Sequence, residues 1–140
     1  MAGTEKIGLD ASVAIKWFIS ETNSLNARKI AEDHARRIID LASPDLLPYE
    51  VLNALRYAPE MGIETLKTAS KALDKMNIDL HPFTDELSEQ TIENAYKYGI
   101  TIYDASYITL GEIKNIPIYT ADVKLIKKVN TKTLKFIQDY

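Results

Sequence analysis

At 140 residues, 46% hydrophobic and 26% charged, the chain is long enough for one domain with a real core and too short for two. It has no cysteine, which excludes disulfides, thiolate metal sites and cysteine nucleophiles together. A net charge of −3 excludes a broad electrostatic footprint for nucleic acid, so any phosphate chain it held would have to be attracted locally, by bound cations and a few basic side chains.

Ile7-Gly8-Leu9 reads as a short strand, and Ser12 to Phe18 follows with helical spacing, which puts Asp10 at a strand-to-helix corner. Trp17 and Phe18 sit in that apolar helix and are expected in the core. Ser24 to Leu41 reads as one amphipathic helix, with Leu25, Ile30, Ala31, Ala35, Ile38 and Ile39 on its stripe and Pro44 as its stop. Leu46-Leu47 is a second brief apolar run. Pro48 suits the first turn of a helix that carries Glu50, Asn53 and Tyr57 and ends near Pro59 and Gly62.

Glu64 to Met76 is a further helix, and Ile78 to His81 alternates like a strand closed by Pro82. Thr84 is a hydroxyl N-cap for the next helix, with Gly99 as its C-terminal cap. Tyr103 to Glu112 is helical, Ile116 to Tyr119 a strand, Ala121 to Val129 helical, and Leu134 to Ile137 an edge strand. Strands alternating with helices imply one α/β domain, residues 1–140, with a mostly parallel sheet covered on both faces. No apolar stretch reaches the ~18 residues of a membrane span. Met1 to Lys6 lacks the basic-then-apolar pattern of a secretory leader, so a cytoplasmic protein is expected.

Four acids stand out by position. Asp10, Glu50, Asp104 and Asp122 each fall where an apolar run meets a helical pattern. Taken singly, each has a bland explanation: an aspartate at a helix start caps it or favours its dipole, and Ser12 and Thr120 have capping explanations too. Glu50 flanks an apolar stripe, where a charge tends to be paired or functional, and Asn53 lies one turn along the same face. In open α/β sheets, ligands sit beyond the carboxyl ends of the strands, so acids at several such ends can converge. Two carboxylates ~5 Å apart repel by roughly 3 kcal/mol at an effective dielectric near 20, and several such pairs call for a cation. Oxygen-only ligands suit Mg²⁺ or Mn²⁺. His34 and His81 have no partners at ligand spacing and are expected to be structural or exposed.

The segments Leu9-Asp10-Ala11-Ser12, Pro48-Tyr49-Glu50-Val51-Leu52-Asn53, Tyr103-Asp104-Ala105-Ser106-Tyr107 and Tyr119-Thr120-Ala121-Asp122 resemble those of PIN-domain ribonucleases, most of all the VapC-like toxins of toxin–antitoxin pairs. The resemblance runs from about Ile7 to Val129, with the motifs in family order. It implies a PIN-like three-layer α/β/α domain with an acidic pocket at the strand ends. Asp10, Glu50, Asp104 and Asp122 would be the catalytic acids that bind Mg²⁺ or Mn²⁺, accompanied by Ser12, Asn53 and Thr120. It further implies in-line hydrolysis of RNA to a 3′-hydroxyl and a 5′-phosphate, a homodimer, and inhibition by a small antitoxin protein that enters the pocket. Family members often continue the helix after Glu50 with several basic residues; here Arg56 is followed at once by Tyr57-Ala58-Pro59. Lys16 and Arg56 are the candidate phosphate contacts.

Three rivals compete with this reading. A catalytically silent protein of the same fold would act through a partner chain. A haloacid-dehalogenase-like phosphatase would need an acid two residues after Asp10, where Ser12 stands. A receiver domain would want an acidic pair at that corner, and Leu9-Asp10 supplies one acid.

Overall fold

The central strand is β1, Glu5–Leu9, whose last three residues are buried. The computed structural model describes residues 4–140, so the reading of the first six residues as leaderless falls partly on residues 1–3, outside the described residues. β1 pairs in parallel with β2, Ile39–Pro44, placing Ile7 opposite Leu41, and with β4, Ile118–Thr120, placing Gly8 opposite Ile118. β3, Asp79–His81, and β5, Leu134–Phe136, form the edges, giving the order β3-β2-β1-β4-β5. Every pairing is parallel.

The chain works outward from β1 through β2 to β3, then returns across the sheet to β4 and β5. With right-handed crossovers, the two directions of travel put their helices on opposite faces. One layer holds α1 (Ala11–Ala14, continued by a 3₁₀ turn at Ile15–Trp17), α2 (Ser24–Ala35), α3 (Leu47–Arg56) and α4 (Ile63–Lys75). The other holds α5 (Asp85–Tyr98), α6 (Ile102–Lys114) and α7 (Val123–Lys128). The α/β/α expectation holds. Among the described residues no helix is long and apolar enough to cross a membrane.

Most elements fall close to their expected places: Thr84 caps α5 through its hydroxyl, and Gly99 ends it in the left-handed region at φ 62°. Trp17 packs against the core and donates its indole N–H to the Ala27 carbonyl at 2.7 Å.

One expectation fails. The helix from Ser24 stops at Ala35, and Ile39–Pro44 is the second strand, not the end of that helix. The break is a Schellman motif: the Arg37 N–H donates to the His34 carbonyl at 3.0 Å and the Ile38 N–H to that of Asp33 at 2.9 Å. Its left-handed position is held by Arg37, φ 61°, where glycine is usual, so no breaker residue marked it. The apolar face of α2 differs accordingly: Ala27 and Ile30 are buried while Leu25 is exposed. The brief apolar run Leu46-Leu47 is the N-cap and first residue of α3. His34 fixes the junction from both ring nitrogens, with Nδ1 accepting from the Leu41 N–H at 3.2 Å and Nε2 donating to the Met76 carbonyl at 2.7 Å.

Arg37→Gly should therefore raise stability by about 0.5–1 kcal/mol in urea unfolding, because it relieves a left-handed non-glycine residue. A loss of stability would show that Arg37 contributes more through its side chain than its backbone costs.

Candidate active site

The strand order reverses between β1 and β4, and the crevice beyond their carboxyl ends is where an open α/β sheet can receive a ligand. Asp10 follows β1 directly and Asp122 follows β4 by two residues. A cavity of about 310 Å³ opens there. Asp10, Glu50, Asp104 and Asp122 all line it, along with Ser12 and Asn53. Glu50 arrives on the first turn of α3 and Asp104 on the first turn of α6. A larger cavity, about 920 Å³, lies at the other end of the sheet among Thr4, Lys6 and Ile39, and none of the four acids lines it.

Asp10 is buried and fully engaged. Its Oδ1 accepts from the Ser12 N–H at 3.0 Å, which caps α1, and from the Ser12 hydroxyl at 2.5 Å. Its Oδ2 accepts from the Thr120 hydroxyl at 2.5 Å. The two hydroxyls in turn hold the next loop: the Ala121 N–H donates to Ser12 Oγ at 2.8 Å, and the Asp122 N–H to Thr120 Oγ1 at 3.1 Å. Thr120 is buried behind Asp10 and does not line the cavity; it acts on the site through the carboxylate.

The other three acids are half-buried. Asp122 caps α7, its Oδ1 accepting from the Leu125 N–H at 3.1 Å. Asp104 has no such duty, since Thr101 caps α6 and accepts from the Asp104 N–H at 3.0 Å. Glu50 Oε1 accepts from the Tyr107 hydroxyl at 2.7 Å. Tyr107, which the sequence pattern does not single out, also lines the cavity. The available signal was its place one turn after Asp104 in an apolar helix, where a buried hydroxyl must find a partner.

The carboxylates feel burial and one another. Burial raises the Asp10 pKa to about 6, opposed by hydrogen bonds from Ser12 and Thr120 and assisted by the negative charge of Asp104. Burial also raises Glu50, against the hydrogen bond from Tyr107, with Asp104 adding repulsion. Asp104 is raised by burial and then by Asp122. Burial, followed by the charge of Glu50, pushes the Tyr107 phenol far up, so it remains a donor across the working pH range.

Among the described residues, no three acids or histidines stand close enough to form a ready-made metal cage. The donor set still fits a hard cation, because Mg²⁺ keeps several waters and needs only one or two direct carboxylates. The four acids thus share a cavity without forming a closed ligand shell.

The candidate phosphate contacts are placed elsewhere. Lys16 is buried and paired with Glu21 at 3.2 Å, and Arg56 lies over the Tyr57 ring with its guanidinium carbon 5.1 Å from the centroid; neither lines the cavity. His81 pairs with Asp79 at 3.0 Å on the surface, away from the four acids.

The PIN domain family matches residues 7–131 of this chain. A relative, Ribonuclease VapC3 of Pyrobaculum aerophilum, is 28% identical over 129 residues, covering 88% of this chain and 94% of the relative. A crystal structure of a Pyrobaculum aerophilum protein superposes with a TM-score of 0.65 at 26% identity, covering 99% of this chain and 93% of the other. A chain of a toxin–antitoxin complex from Klebsiella pneumoniae shares the fold, with a TM-score of 0.68 at 12% identity and coverage of 94% and 97%.

Without added metal, folding favours neutral Asp10, so its contribution to stability is fully present below about pH 4 and is lost as the pH rises through about 6. Relative to Asp10→Asn, the metal-free wild type should lose up to roughly 3 kcal/mol between pH 4 and 7. Urea unfolding in chelator measures this; a difference that does not change with pH contradicts the burial argument.

Proposed function

The chain belongs to the PIN domain family, and on that premise we propose that it is a Mg²⁺- or Mn²⁺-dependent endoribonuclease and the toxin member of a toxin–antitoxin pair. The observation that carries the reading is the gathering of four carboxylates, from four separate segments, in one cavity at the switch point of the sheet. The relative named as a ribonuclease, which aligns over most of both chains, supports it.

Asp10, Glu50, Asp104 and Asp122 would hold the ion, directly or through water. A bound Mg²⁺ or Mn²⁺ supplies a water of lowered pKa and offsets the charge gathering on the phosphate. The chain's own residues do the rest. Asp10, fixed by Ser12 and Thr120, is the immobile wall of the pocket. Glu50 and Asp104, whose basicity burial has raised, accept hydrogen bonds from the attacking water and orient it in line with the leaving 3′ oxygen. Asn53, exposed at the mouth, offers amide donors to a phosphate oxygen. Arg56, three residues further along α3, reaches a flanking phosphate, whereas Lys16 is committed to Glu21.

A small antitoxin would enter the same acid-lined mouth, which favours a basic side chain. Chains of this fold are found in a toxin–antitoxin complex, and that likeness supports the pairing. The reading includes a homodimer in the cytoplasm. The exposed Tyr49, Phe83, Ile102 and Tyr103 around the β3 end supply apolar area that a second copy can cover.

With Mn²⁺, the wild type should cut a circular single-stranded RNA, which only an endonuclease can open, and leave ligatable 5′-phosphate ends. Chelator should stop it, and Asp104→Asn should slow it by at least ~100-fold. Mn²⁺ at about a hundred times its dissociation constant should stabilise the wild type by roughly 2.7 kcal/mol and Asp104→Asn by clearly less. An Asp104→Asn variant that cuts as fast as wild type rules the mechanism out, and a wild type that binds ion yet leaves RNA intact favours the silent binding protein.

A further inference from the structure

Glu50 enters the pocket with one oxygen already spoken for. Its Oε1 accepts the Tyr107 hydroxyl at 2.7 Å, and among the described residues Oε2 has no protein donor. The donor is unusually well fixed. Tyr107 is 2% exposed and lies within a run of α6, from Ala105 to Gly111, that is buried throughout. Gly111 lets that run sit tight against the sheet: a Cβ there would stand 2.9 Å from the Ile116 carbonyl oxygen and 2.6 Å from Ile118 Cγ1. The phenol cannot swing aside without moving α6. Glu50, by contrast, is half-buried on the first turn of α3, and its side chain has no other hydrogen-bonded anchor among the described residues.

We infer that Tyr107 is a positioning residue that presents Glu50 to the ion through a single oxygen, and so sets which divalent cation the pocket prefers. The inference rests on the metal-pocket reading above. A carboxylate with one oxygen held by a strong donor binds an ion through the other. Mg²⁺ and Mn²⁺ in octahedral sites accept that one-oxygen mode, whereas Ca²⁺ takes six to eight oxygens and readily uses both oxygens of a carboxylate. Tyr107 thereby disfavours the larger ion without touching any ion itself. It also keeps the ring in a place that phenylalanine fills, so the hydroxyl can be removed with the packing retained.

Isothermal titration of the full chain with MgCl₂, MnCl₂ and CaCl₂ separately, for wild type, Tyr107→Phe, Glu50→Gln and the double variant, tests this. Tyr107→Phe should weaken Mg²⁺ and Mn²⁺ roughly tenfold, the usual scale for losing a partner of a metal ligand. It should weaken Ca²⁺ less, or tighten it, so the Ca²⁺-to-Mg²⁺ affinity ratio rises several-fold. In the Glu50→Gln background the same change should leave the ratio alone. Equal weakening of all three ions, no change, or a ratio change that persists with Glu50→Gln overturns the inference while the metal-pocket reading stands. A wild type that binds none of the ions overturns both.

Discussion

The buried carboxylate of Asp10 is the constraint on which this structure turns. Its two oxygens collect a backbone N–H, the Ser12 hydroxyl and the Thr120 hydroxyl. The same two hydroxyls accept from the Ala121 and Asp122 backbones. One side chain therefore sews the end of β1 to the end of β4 across the reversal in strand order. Removing water from a carboxylate is costly, and these donors offset only part of that cost, which is why the group remains hard to ionise. The helix cap and the cavity wall are here the same group: Asp10 starts α1 and lines the cavity at once.

That dual use explains how much of the site was legible. Asp10 and Asp122 look like caps because they are caps, and sequence alone could not separate that role from a second one. Asp104 differs, since Thr101 takes the capping duty and leaves its carboxylate to the cavity. Recurrence at four junctions carried the reading where no single acid could. Tyr107 stayed hidden because a tyrosine in an apolar helix reads as core, which it is; only three-dimensional placement shows the hydroxyl reaching α3. Lys16 and Arg56 lie outside the cavity, and only the structure shows their side chains turned to Glu21 and to the Tyr57 ring.

The fold was legible through period and punctuation, and it failed where punctuation was missing. α5 ends on Gly99 and could be delimited in advance. α2 ends on a bonding pattern that Arg37 adopts in place of glycine, and the apolar residues of β2 happen to continue a helical spacing. Strand order needed the register itself, because it depends on pairings between segments far apart in the chain.

The cavity draws one wall from each layer of helices and its floor from two neighbouring strands that the chain makes near its beginning and near its end. No local piece of the sequence carries a usable fraction of it. During synthesis the first acid emerges early, but its clamp through Thr120 must wait for β4, which follows α6 in the chain. A fragment that ends before β4 therefore holds no assembled cavity, because neither the Thr120 hydroxyl nor Asp122 is yet in place.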